Sequence, residues 1–169
     1  MKIGEIAWLD QHQAHVTAMV RQHGWFIQYV SGRMCDRPGC DCGDAEEDEL
    51  AFAYTIGLFG LNHPELLILG VPPQTASGVL NDLGRRVKAG QALLPGSIIT
   101  FQQWPHRIVP EQVPNPAEIV LGANGYYRMA PGTSVPVLQL SYDDEQGRFP
   151  WQEGYSAPGL QPRPGEFRA

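Results

Sequence analysis

The chain reads as an α+β domain: a mainly antiparallel sheet packed with two main helices on one side, followed by a flexible C-terminal tail. Three observations predict this. Its segments run in the order α-β-β-β-α-β-β-(α)-β, without the regular strand–helix alternation of a doubly wound sheet. Gly and Pro number 19 and 15 among 169 residues, too many helix breakers for a bundle or coiled coil. Four Trp, six Tyr and six Phe argue against global disorder, and the length suits one domain with a core that needs no disulfides. We expect a single domain over residues 1–155 and a tail over 156–169.

The first element is a helix. Asp10 is its expected N-cap and Gly24 its C-terminal stop, with Leu9, Val16, Met19 and Val20 at helical spacing. Residues 25–30 are aromatic and β-branched and read as a strand. Residues 31–49 form a loop containing Gly32, Pro38, Gly39 and Gly43, and residues 50–56 a second strand stopped by Gly57. A turn over 58–63 leads to a third strand over 65–71, apolar enough to be buried on both faces. Pro72 and Pro73 open a second helix with the stripe Val79, Leu80, Leu83, Val87, ended by Gly90. Residues 97–101 read as a strand that pairs with 107–109, and Asn115 precedes a short helix. A last strand over 135–142 ends at the turn Asp143-Asp144-Glu145-Gln146-Gly147. From Ser156 onward, Pro158, Gly159, Pro162, Pro164 and Gly165 predict the flexible tail.

Charge narrows the function classes. Between Asp36 and Glu49, inside the 31–49 loop, seven acids (Asp36, Asp41, Asp44, Glu46, Glu47, Asp48, Glu49) face one cation, Arg37. That segment alone equals the net charge of −6, so the rest of the chain is neutral. No basic cluster interleaved with aromatics marks a nucleic-acid footprint. The run Leu66-Leu67-Ile68-Leu69-Gly70-Val71 is far too short to span a bilayer, so no membrane partner is expected. The N-terminus lacks the apolar core of a secretory signal, and three cysteines make no disulfide framework; the expected compartment is the reducing cytoplasm.

Four groups of residues carry chemistry. Cys35, Cys40 and Cys42, with Asp36, Asp41 and Asp44 beside them, offer three thiolates that suit zinc, with a fourth position for His, Asp or water. The same residues equally make a solvated acidic loop. Tyr54 and Thr55 flank a turn with His63 and Glu65: His63 with Glu65 has the composition of a base and its orienter, and Tyr54 that of an acid or donor. These three are the catalytic candidates, and the alternative is a satisfied His in a tight connection. His12, His15 and His23 lie on the first helix and read as a solvated flank. Gln139, Asp143, Asp144, Arg148 and Trp151 could line a pocket or simply close a turn.

The stretch Phe52-Ala-Tyr-Thr-Ile-Gly-Leu58, then His63-Pro-Glu-Leu-Leu67, the second helix with Gly90, Gln139-Leu140 and Gly147-Arg-Phe-Pro-Trp151 resembles the Domain of Unknown Function 4262 family. His23-Gly24-Trp25 is similar as well, and Cys35-Asp-Arg-Pro resembles a Cys-Asp-x-Pro stretch of that family. The resemblance covers roughly residues 9–155. It implies a small, soluble bacterial protein and supplies no catalytic role.

With no complete catalytic set, the leading expectation is a ligand- or partner-binding domain. It would take a small ligand through Tyr54, Thr55, His63 and Trp151, or a basic protein partner through the acidic loop. The alternative is a hydrolase-like zinc enzyme that holds its metal on Cys35, Cys40 and Cys42, with His63 or Glu65 as acid or base. A regulatory interaction protein with a basic partner is a third class.

Overall fold

The longest apolar run of the sequence forms the middle of a five-stranded sheet. The computed structural model describes residues 2–31 and 50–169. The elements are α1 (Ile3–His23), β1 (Phe26–Val30), β2 (Phe52–Ile56), β3 (Glu65–Leu69), α2 (Pro73–Lys88), β4 (Ile108–Gln112), α3 (Leu121–Tyr126) and β5 (Val137–Tyr142). Short 3-10 turns occupy Leu58–Leu61 and Pro116–Glu118. Strand order is β1-β2-β3-β5-β4, and all five residues of β3 are buried, as a strand covered on both faces requires.

The sheet is mixed. β1–β2, β2–β3 and β4–β5 pair antiparallel, whereas β3 and β5 run parallel with Glu65 opposite Val137. A parallel pair needs a crossover connection, and residues 70–136 provide it.

The two main helices do not share a side. Ala53, Leu66, Ile68, Leu138 and Leu140 point to one face, where α2 buries Ala76, Val79, Leu80, Leu83 and Val87. Phe52, Tyr54, Ile56, Leu67, Leu69 and Val137 point to the other, where Val16 of α1 and Ala123 of α3 pack. Strand residues alternate faces, so a sheet apolar at every position must be covered twice. The α2 stripe buries five apolar side chains at roughly 1.5–3 kcal/mol for each large one. Gly84 lets α2 approach closely: a Cβ there would lie 2.6 Å from Cε2 of Trp25. The Trp25 indole N–H in turn donates to Asn81 Oδ1 at 3.0 Å.

Several expectations need correcting. α1 begins at Ile3, not after Asp10, because the Glu5 carboxylate accepts the Lys2 N–H at 2.9 Å and closes the N-terminus earlier. Its C-terminal stop is Gly24 (φ 101°), as expected. Residues 97–101 form no strand. Only Ile99 bridges Ile108, since Gly96 turns the chain at φ 81° and β4 takes β5 as its partner. The tail is not a loose end. Gln161 and Phe167 are buried, and an added Cβ at Gly70 would lie 2.5 Å from the Leu160 carbonyl oxygen. Proline made the segment irregular, but its side chains found partners on the sheet. Among the described residues, no helix is long and apolar enough to cross a membrane.

Candidate functional site

Thr55 and Glu65, two of the predicted site residues, meet where β2 leaves the sheet. Gly57, at φ 131°, turns the chain into the Leu58–Leu61 turn, and an added Cβ would lie 2.4 Å from the Gly24 carbonyl oxygen. Glu65 opens β3 directly below and points its carboxylate into the turn. Oε1 accepts the N–H groups of Gly57 (2.8 Å) and Phe59 (3.2 Å). Oε2 accepts the Thr55 hydroxyl (2.6 Å) and the Leu58 N–H (3.2 Å). Thr55 Oγ1 accepts the Leu66 N–H at 2.9 Å, tying the strand ends together. Glu65 has no exposed surface. Burial pushes its carboxyl pKa up, against the pull of the Thr55 hydroxyl and the three N–H donors. Four donors fill the acceptor capacity of a carboxylate.

The other candidates of this corner are committed in the same way. His63 Nε2 accepts the Leu93 N–H at 3.0 Å, and Nδ1 lies 2.8 Å from the Pro64 carbonyl oxygen. An amide N–H only donates and a carbonyl only accepts, so Nε2 serves as acceptor and Nδ1 as donor. The Tyr54 hydroxyl accepts the Gly122 N–H at 3.0 Å, and burial pushes its pKa up. Tyr127, which sequence reasoning missed, accepts the Gly60 N–H at 3.1 Å. Burial first, then the Glu65 charge, pushes its phenol up as well. Proton transfer by Glu65 or His63 would require one of these bonds to open. As it stands, the corner holds backbone.

Trp151 belongs to a different group. Its ring stacks on Phe149 with centroids 4.9 Å apart, and the Arg163 guanidinium lies 4.9 Å above it. Cys35, Cys40 and Cys42, with the acidic loop, lie outside the described residues. Among the described residues no cluster of three His, Cys, Asp or Glu side chains has the arrangement to hold a metal.

A second region offers polar groups that are not spent on the fold. A recess of roughly 660 Å³ separates α2 from residues 101–104. It runs on into a shallower hollow of roughly 490 Å³ along residues 100–107. Aromatic rings line this trough: the Trp104 ring centroid lies 5.7 Å from Phe101 and 4.9 Å from His106, with the buried Tyr142 ring behind it at 5.5 Å. Arg86 is braced by Asp82 Oδ1 (2.7 Å) and the Thr100 carbonyl (2.9 Å), with its guanidinium 5.1 Å from the Phe101 centroid. Asp143 organises the far end. Its carboxylate accepts the Arg107 main-chain N–H (2.9 Å) and Nε–H (2.8 Å), and its carbonyl lies 2.6 Å from His106 Nδ1. Those contacts orient the ring and leave Nε2 without a hydrogen-bond partner among the described residues. Arg85, Gln102 and Gln103 are exposed on the rim.

The composition of this stretch held a usable signal: Phe101, Trp104, His106 and Arg107 within seven residues that lack strand alternation. Asp143 had been singled out beside Asp144, but its partners come from 36 residues away.

No curated protein and no solved structure matches the chain. The family described as Domain of unknown function (DUF4262) matches over residues 19–156, which takes in the corner, the trough and every strand. The chain therefore belongs to the DUF4262 family.

Proposed function

We propose that the chain is a binding domain without catalysis of its own, and that its ligand site is the trough between α2 and residues 100–107. The ligand class is a small planar anion, such as an aromatic carboxylate. The carrying observation is the Phe101–Trp104 aromatic wall with the exposed Arg85 guanidinium beside it, while Arg86, seated over the Phe101 ring, is already paired with Asp82. Planar rings stack on such a wall, and a guanidinium meets a carboxylate through two parallel N–H donors. Ligand sites are concave, with an apolar body and a few polar groups that fix orientation. Arg85, Gln102 and Gln103 fit that second role because their exposed side chains make no hydrogen bond to other described residues.

Binding rather than catalysis is supported by the corner. Glu65 and His63 already use their proton-transfer atoms to hold the main chain. Of the ligand residues expected from sequence, Tyr54, Thr55 and His63 support the fold in this reading, and Trp151 borders another surface.

The test is chemical-shift mapping on ¹⁵N-labelled full-length protein titrated with benzoate and with a nucleoside monophosphate. The reading expects saturable shifts confined to residues 74–86 and 99–107, with a Kd of about 1 mM or tighter. Shifts confined to the Tyr54–Glu65 corner, or none for either probe, would overturn it.

A further inference from the structure

We propose that the β4–β5 face carrying Glu111, Gln139 and Ser141 is a groove for an extended Gln-x-Arg segment of a partner protein, and that the chain's own C-terminal strap occupies it in cis. This surface is separate from the trough and does not rest on the reading above.

The sheet face makes the case first. Around Phe52, Tyr54, Leu67 and Leu69 it is apolar and covered by α1 and α3. Toward the β4 edge it turns polar: Glu111 lies opposite Gln139 in register, and Ser141 Oγ donates to Glu111 Oε1 at 2.7 Å. A strap serving only as a hydrophobic lid would need apolar residues there.

The strap does both: Phe167 packs on Phe52 with ring centroids 5.1 Å apart, and the residues before it meet a set of matched polar partners. The Gln161 side-chain amide donates to the Tyr142 carbonyl (2.8 Å) and accepts the Tyr142 N–H (2.9 Å), as a neighbouring strand would. The Pro162 carbonyl accepts from Gln139 Nε2 at 2.8 Å. Arg163 pairs bidentately with Glu111, at 2.8 and 2.7 Å, while its guanidinium lies over Trp151. Gln161 and Arg163 are thus read through their side chains and residue 162 only through its main-chain carbonyl, which fixes register and selects the two flanking residues.

Two further observations separate the occupant from its seat. The family match ends at residue 156, so the groove lies inside the family domain and the strap beyond it. The fit is also incomplete. Gln139 is only 2% exposed, yet its Oε1 has no partner, and Asn115 Oδ1, beside the Phe167 end of the strap, is buried and unpaired too. Pro162 and Pro164 have no N–H to offer. A segment with a donor at such a position would satisfy what the strap leaves open.

The test keeps the chain full length. A fluorescent peptide with the sequence of residues 157–169 is titrated against wild type and against the Arg163→Ala/Gln161→Ala double variant, with folding checked by circular dichroism and Arg163→Ala alone as the milder control. The expected result is saturable binding to the double variant and at least tenfold weaker binding to wild type, whose groove is filled. Adding Glu111→Ala, or placing Ala at the Arg position of the peptide, should abolish it. Binding to neither protein, or binding indifferent to Glu111, would overturn the proposal. So would unfolding of both variants, which would make the strap part of the core. A concentration-dependent dimer of wild type that requires Arg163 would assign the groove to a second copy and also contradict it.

Discussion

The Tyr54–Glu65 corner and the trough along α2 have similar compositions and opposite uses. Each carries a histidine, an acid and aromatic rings. In the corner, Glu65, His63 and Tyr54 are closed by main-chain N–H and carbonyl groups of residues 57–64, 93 and 122. In the trough, Arg85, Gln102 and Gln103 are exposed, and their side chains and His106 Nε2 have no such partners among the described residues. Buried polar groups are costly to leave unpaired, so a site sealed inside the fold consumes its own chemistry. A site at the edge of the fold can keep it for a ligand.

Removing the corner's keystone should have the largest effect. Glu65→Gln turns an acceptor toward three N–H groups into an amide that also donates, and should cost about 3 kcal/mol of stability, read by urea denaturation. A neutral result would mean that the corner does not hold the fold and would reopen it as a site. His63→Ala removes the acceptor of the Leu93 N–H and should cost about 2 kcal/mol by the same measurement.

On the trough side, Arg85→Ala should weaken binding of benzoate about tenfold, or about 1.4 kcal/mol, measured by calorimetry or by chemical shift. That loss should shrink as salt is raised, because an exposed guanidinium is screened over about 8 Å at physiological ionic strength. Replacing Cys35, Cys40 and Cys42 by Ser should leave this affinity unchanged.

Asp144 sharpens the comparison through pH. Burial pushes its carboxyl up, but the N–H groups of Arg148, Ser156 and Gln146 pull it further down, so the net pKa is lowered. A lowered folded value contributes stability above the unfolded value of about 3.9 and loses it as pH falls through the folded value. The Tm gap between wild type and Asp144→Asn should therefore be constant near neutrality and close below about pH 4. A gap that widens with acid would reverse the sign. The smallest effect belongs to stability in the trough: Arg85→Ala and Gln103→Ala should each stay within about 0.5 kcal/mol of wild type.

How much was legible depended on whether the deciding contacts are local. Gly24, β3 and the α2 stripe follow from periodicity and breakers, and each stands where the sequence placed it, within a residue or two. Thr55 and Glu65 were legible as neighbours across a turn. That Glu65 would face inward onto N–H groups was not, because it depends on Gly57 adopting φ 131°. Which side each helix covers depends on the crossover between β3 and β5, and nothing within α1 or α2 encodes it. The tail misled for the opposite reason. Its prolines correctly forbid a helix or ladder, yet Gln161, Arg163 and Phe167 dock through side chains onto Tyr142, Glu111 and Phe52. The trough joins α2 to residues 100–107 and Asp143, segments whose approach only the folded sheet creates.

The most direct measurement is a paired titration of one probe, benzoate, against Arg85→Ala and Tyr54→Phe proteins, each confirmed folded. Weakened binding in the first variant with wild-type affinity in the second is the predicted outcome. Affinity lost in Tyr54→Phe but retained in Arg85→Ala would contradict the division of labour between sealed corner and open trough.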